Sequence, residues 1–210
     1  MISRRLTLLT DGPFDRVLMA HISWLIRSVL PEHTVVQPQW ADFRALPVRP
    51  KGLVEKIRCA LQLFPCDLLV VHRDAETSNP EPRFTEIQQA LSDINCNVKA
   101  VPVVPVRMTE AWLLFDQQAI RVAVGNPNGK SPLQVPMAKW DEIPDPKSVL
   151  YDALRVASGH SGRRRKKFQV ATAAHMVAEY IGDFSPLRRL PAFARFEADM
   201  KDAFRAIQWM

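Results

Sequence analysis

Residues 66–74, CDLLVVHRD, set four apolar residues in a row, Leu68, Leu69, Val70 and Val71, between polar flanks. A run this short and continuous reads as a strand buried on both faces, and such a strand belongs in a parallel sheet covered by helices on each side. The neighbouring segments fit that frame. RLTLLT (5–10) reads as a first strand. FDRVLMAHISWLIRSVL (14–30) places Val17, Leu18, Ile22, Leu25 and Val29 at helical spacing, with Pro13 suited to the first turn and Pro31 closing the helix. TVVQPQW (34–40) is a second strand, and Pro38 within it marks a sheet edge or an early end. Helices are expected at 52–64 and 82–94. A strand at 98–106 carries two prolines that make it irregular or peripheral, and a helical stretch begins at 109–124.

Strands alternating with helices imply crossover connections, so the expected fold class is α/β, a mostly parallel, Rossmann-like sheet flanked by helices. The expected organisation is an α/β domain over 1–124, a Pro/Gly-rich linker or loop over 125–147, and a helical, basic C-terminal part over 148–210. In that last part helices are expected near 148–157, 166–181 and 192–207, packed on the same domain. In open parallel sheets ligands bind beyond the carboxyl ends of the strands. Acidic residues stand at three such ends. Asp11 follows the first strand in LLTDGPFDRVL, with Asp15 four residues on. Asp74 and Glu76 follow the apolar strand in VVHRDAET. Glu110 follows the 98–106 strand in VRMTEAWLLFD. Carboxylate oxygens are hard ligands for magnesium or manganese, and such ions activate water and neutralise charge on a scissile phosphate. On an extended chain, Asp-x-Glu puts both side chains on one side. Each acid also has a plain reading as a turn former or helix cap.

The motifs LLTDGPFDRVL and LLVVHRDAET resemble those of the Toprim domain, the α/β fold of topoisomerases, primases and OLD-type nucleases. The resemblance covers about residues 5–115. VRMTEAWLLFD and LRRLPAFARFEADM are similar to a bacterial family of Toprim-like proteins of unknown function. Its members are often encoded beside ATPases and implicated in defence against phage. The resemblance implies that Asp11 is the general acid/base or a metal-shell carboxylate, that Asp74 and Glu76 bind one or two Mg2+ (or Mn2+) ions, and that Glu110 is an additional ligand. Asp15 matches the acid that often ends the first motif, a supporting position; an exposed first-turn acid favourable to the helix dipole fits it equally. The chain departs from the family in having Asp11 where Glu is usual and Glu76 where Asp is usual. Both changes alter reach, and metal chemistry depends on placement.

The net charge is +6 and is unevenly placed: Lys and Arg exceed Asp and Glu by one over residues 1–150 and by five over 151–210. Arg163, Arg164, Arg165, Lys166 and Lys167 form the run RRRKK, preceded by His160 and Ser161. Such a run suits a nucleic-acid backbone, DNA or RNA, or serves only as a solvated helix start. His72 and Arg73 are candidates to contact phosphate, with a packed or satisfied histidine the weightier reading of His72, at a strand end. GNPNGKS (125–131) has GxxxGKS spacing, one residue short of a phosphate loop, and no strand precedes it. With no credible ATP site, an ATPase partner is expected, and a homo-oligomer stays open. No run is long enough for a membrane span, the basic start precedes too few apolar residues for a signal peptide, and three cysteines without a CxxC suit a reducing cytoplasm. The expected function is Mg2+-dependent nuclease-type phosphodiester cleavage. A non-catalytic nucleic-acid-binding or regulatory subunit is the alternative, and a small-molecule phosphotransferase the third.

Overall fold

The computed structural model describes residues 4–210; residues 1–3, the start of the expected first domain, lie outside the described residues. Four strands run β1 Arg4–Leu9, β2 Val36–Trp40, β3 Leu68–His72 and β4 Lys99–Val103. All pair in parallel, in the order β2-β1-β3-β4. Three helices cross between them: α1 Leu18–Val29, α2 Gly52–Leu63 and α3 Glu81–Asp93. Beyond β4 come α4 Gln117–Ala123, α5 Pro146–Ala157, α6 Gly162–Lys167, α7 Val170–Tyr180 and α8 Pro191–Ala206, with short 3-10 turns between several of them. The α/β class read from the periodicity is the class observed.

The alternation of side chains across β1 and β3 explains the layering. Leu6, Leu8, Leu68 and Val70 point to one face, where they join a large core with α1 and the C-terminal helices. Leu9, Leu69 and Val71 point to the other, against α2 and α3. All five residues of β3 are buried, as a central strand covered on both faces requires. The proline-bearing strands β2 and β4 take the two edges, where a missing N–H costs least.

Three expected helices are divided. Residues 14–30 begin with a 3-10 turn at Phe14–Val17 before α1. Residues 109–124 hold a 3-10 turn at Thr109–Leu113, after which Asp116 starts α4 by accepting a bond from the Ala119 N–H at 2.8 Å. The 166–181 stretch splits into α6 and α7 because Phe168 is extended. The expected 98–106 strand ends at Val103, ahead of Pro105. The segment 125–147 is irregular yet contributes Leu133, Val135, Trp140 and Ile143 to the same large core as the sheet. Among the described residues no helix is long and apolar enough to cross a membrane.

The strand order fixes where the sheet can open to a ligand. The chain leaves β1 toward β2 on one side, then crosses back over β1 to β3 on the other. The carboxyl ends of β1 and β3 thus flank the point where the winding reverses, the place where such sheets form a crevice.

Candidate metal centre

The crevice is lined first by the loop that leaves β1. Thr10 donates its hydroxyl to the carbonyl of Gly12 at 2.9 Å, and the Gly12 N–H donates to Asp15 Oδ2 at 3.1 Å. This tight loop carries Asp15 inward, where it is 6% exposed. The expectation of an exposed first-turn acid is therefore corrected: burial, not the helix dipole, governs Asp15. A Cβ on Gly12 would come into van der Waals contact with that carboxylate, at 3.4 Å.

The second wall comes from β3. His72 is its last residue and is fully buried. Its Nε2 lies 3.0 Å from Thr109 Oγ1 and 3.2 Å from Asp74 Oδ1, and its Nδ1 lies 3.7 Å from Asp15 Oδ2. The Thr109 N–H and hydroxyl both donate to Asp74 Oδ1, at 2.9 and 3.1 Å. Thr109 heads the turn after β4, so three strand ends converge on one carboxylate. Asp15, His72 and Asp74 each offer a ligand atom within 4.8 Å of the others, a group that can hold a metal ion. Two ligands about 2.1 Å from one ion stand at most about 4.2 Å apart, so the group needs to draw in little.

The electrostatics of the three are coupled. Burial alone would lower the pKa of His72, but its hydrogen bond to Asp74 and the charges of Asp15, Asp74 and Asp11 outweigh it and the net direction is up. Burial raises the pKa of Asp15, opposed by His72 and reinforced by Asp74. Without a metal, the neighbouring carboxylates thus favour the protonated form of His72. A metal would take the place of that proton.

The other acids sit apart from this group. Asp11 is not among the three: Arg73 Nη1 at 2.6 Å and Lys56 Nζ at 3.2 Å both hold its Oδ1. Glu76 does not share a face with Asp74. Its φ of 59° puts it in the left-handed region, and that breaks the extended geometry on which the Asp-x-Glu reading depended. Its side chain is exposed and meets Arg83 Nη2 at 2.9 Å. Arg107 opposite it is also left-handed, at 61°, and the Glu76 N–H donates to the Arg107 carbonyl at 2.9 Å. Arg83 in turn donates its Nε–H to the Asp74 carbonyl at 3.2 Å. Glu110 is buried beside the group, and desolvation raises its pKa to about 7; the charges of Asp74 and Asp15 add to the rise, and Lys147, 4.0 Å away, opposes it.

The remaining candidates are soon placed. Arg163 to Lys167 form α6, none of whose residues is buried. His160 stands edge-on to Phe168, with centroids 5.7 Å apart. GNPNGKS follows α4, not a strand. Sequence reading passed over Lys56, Arg83 and Lys147, whose partners lie 45, 7 and 37 positions away along the chain, and no local pattern marks them. Comparison with family models, with curated proteins and with solved structures finds no match to this chain.

Proposed function

We propose that the chain is a divalent-metal-dependent phosphodiesterase acting on nucleic acid at the group Asp15, His72 and Asp74. One observation carries the reading: two carboxylates and an imidazole, Asp15 and His72 buried and Asp74 partly so, gather at the strand ends beside the reversal point of a parallel sheet. The metal would polarise the scissile phosphate and generate hydroxide near neutral pH. The donor set refines its identity. An imidazole beside two carboxylates suits Mn2+ better than Mg2+, which prefers oxygen alone.

This chain's own residues supply the remaining parts. Thr109 fixes Asp74 through Oδ1, so a metal would be taken by the remaining lone pairs of the carboxylate. Glu110, with a pKa near 7, can accept the proton of an attacking water at neutral pH. Arg73 and Lys56 stand ready to receive phosphate oxygens in place of Asp11. The basic helix α6 would hold flanking backbone in a manner that weakens with salt. The resemblance to Toprim-like proteins implies the same class of reaction, although two of the ligands it implies, Asp11 and Glu76, lie outside this group, and it extends the reading to an ATPase partner and a role in phage defence. A binding or regulatory subunit without chemistry is the second reading. It is favoured by the bonds that Thr109, His72 and Asp74 already make with one another, although they leave the buried His72 Nδ1 without a partner.

The test is cleavage of labelled single- and double-stranded DNA and RNA with Mn2+ or Mg2+. Wild type should cut in a metal-dependent way, and Asp74→Asn and His72→Gln should lose at least about a hundredfold, as disturbance of a metal's ligands commonly does. Cleavage that survives both substitutions would falsify the site assignment. Salt-sensitive binding without cleavage, even beside an ATPase partner, would favour the second reading. Because His72 must shed its proton to bind, Mn2+ affinity measured by calorimetry should fall from pH 8 to pH 6 and show proton release.

A further inference from the structure

We propose that the cavity beside Asp11 is a nucleotide subsite, seating one base and its phosphate from a single-stranded nucleic acid next to the metal group. The substrate class rests on the phosphodiesterase reading above; the cavity itself stands on separate residues. It lies between the carboxyl end of β1 and the loop after β2, and its volume is about 150 Å³. That is below the roughly 300 Å³ of a site for a whole drug-sized ligand, so it takes one flat group with the rest of the ligand outside.

Its walls are flat and fixed. Trp40 is pinned by a bond from its Nε1–H to Thr10 Oγ1 at 2.9 Å. The guanidinium of Arg44 lies over the Trp40 ring, 5.1 Å from its centre. Arg44 is held there by both oxygens of Asp42, at 2.7 to 3.1 Å, and that pairing pulls the Asp42 carboxyl down to about 2. Phe43 completes the apolar side. Aromatic rings and guanidinium planes are the surfaces on which unpaired bases stack, with little regard to sequence.

Its rim carries surplus positive charge. Three cations, Arg44, Arg49 and Lys56, face two carboxylates, Asp11 and Asp42. Asp42 is engaged by Arg44. Asp11 is shared by Lys56 and Arg73. Among the described residues no carboxylate lies within bonding reach of Arg49, which is exposed. A phosphate is the natural counter-ion for such a rim, since Arg and Lys both take its oxygens. The cavity is linked to the metal group through a side-chain contact. Asp11 forms part of its lining and is gripped by Arg73, the residue between His72 and Asp74.

The experiment is fluorescence anisotropy with a fluorescein-labelled thymidine trinucleotide carrying a 5′-phosphate, in EDTA so that no metal contributes. Wild type should bind, and Arg49→Gln/Lys56→Gln should bind at least tenfold more weakly. The charge-matched control Lys139→Gln/Arg205→Gln should stay within twofold of wild type. Arg49→Gln alone, at an exposed side chain, serves if the double variant does not fold, and should lose at least threefold. No binding by wild type, equal binding by the Arg49 variants, or an equal loss in the control would overturn the subsite. If the trinucleotide binds as expected but no metal-dependent cleavage is found, the phosphodiesterase reading fails and the subsite stands. If cleavage is found and the Arg49 variants bind normally, the reverse holds.

Discussion

At the scale of single residues, two buried ionisable groups set opposite pH dependences. His21 is fully buried among Trp112, Phe184 and Phe193, and burial pushes its pKa down to about 4. Its Nε2 has no partner. The folded state keeps it neutral while the unfolded chain, near 6.5, takes up a proton. Stability is therefore whole above pH 6.5 and falls by roughly 3 kcal/mol as pH drops to 4. His21→Leu should lose less stability across that window in urea titrations. Glu110 has the other sign. Its folded pKa of about 7 lies above the ordinary value, so the folded state is favoured below 4.5 and this advantage is lost as pH rises to 7. Glu110→Gln should match wild type at pH 4 and exceed it at pH 8 by up to roughly 3 kcal/mol. If both variants track wild type at every pH, neither group titrates as described.

At the scale of elements, the sheet was legible because period-two and period-3.6 patterns are local properties of the chain. The continuous run in β3 announced a central strand, and Pro38 and Pro102 announced edges. The candidate site was legible only in outline: strand ends carry acids in the sequence, and three strand ends meet around Asp74 in the fold. The dihedral that turns Glu76 away is not written in Asp-x-Glu. Nor does LLTDGPFDRVL show that Asp15 points inward while Asp11 points to Lys56 and Arg73, since those cations arrive from α2 and the end of β3. His72 looked more like packing than chemistry because it ends a buried strand. One element invites a direct test. α6 is six residues long, wholly unburied and strongly basic, too short to be stable alone. Replacing Arg163 to Lys167 with Gln should leave the melting temperature within about 2 °C. It should also flatten the dependence of log K on log salt by about 0.7 for each single-strand phosphate that these side chains neutralise. An unchanged slope would remove α6 from the nucleic-acid surface.

At the scale of the whole molecule, one core reaches from Leu6 in the first strand to Trp209 near the last residue. Trp112 lies in its middle, fully buried, meeting Phe193 edge-on at 5.1 Å and stacking with Phe196 at 6.2 Å. Trp112→Ala should cost about 3–5 kcal/mol. The loss should appear as one transition, with near- and far-ultraviolet circular dichroism falling together; separate transitions would mean that the C-terminal helices melt on their own. The same continuity bears on synthesis. Arg4 in β1 donates to the carbonyls of Gln208 and Trp209 at 3.1 Å, across more than two hundred positions. A chain emerging from the ribosome can pair β1 with β3 early, yet the layer that steadies them is complete only once α8 has left the exit tunnel. A growing polypeptide would then carry its acids without that supporting layer until α8 has emerged.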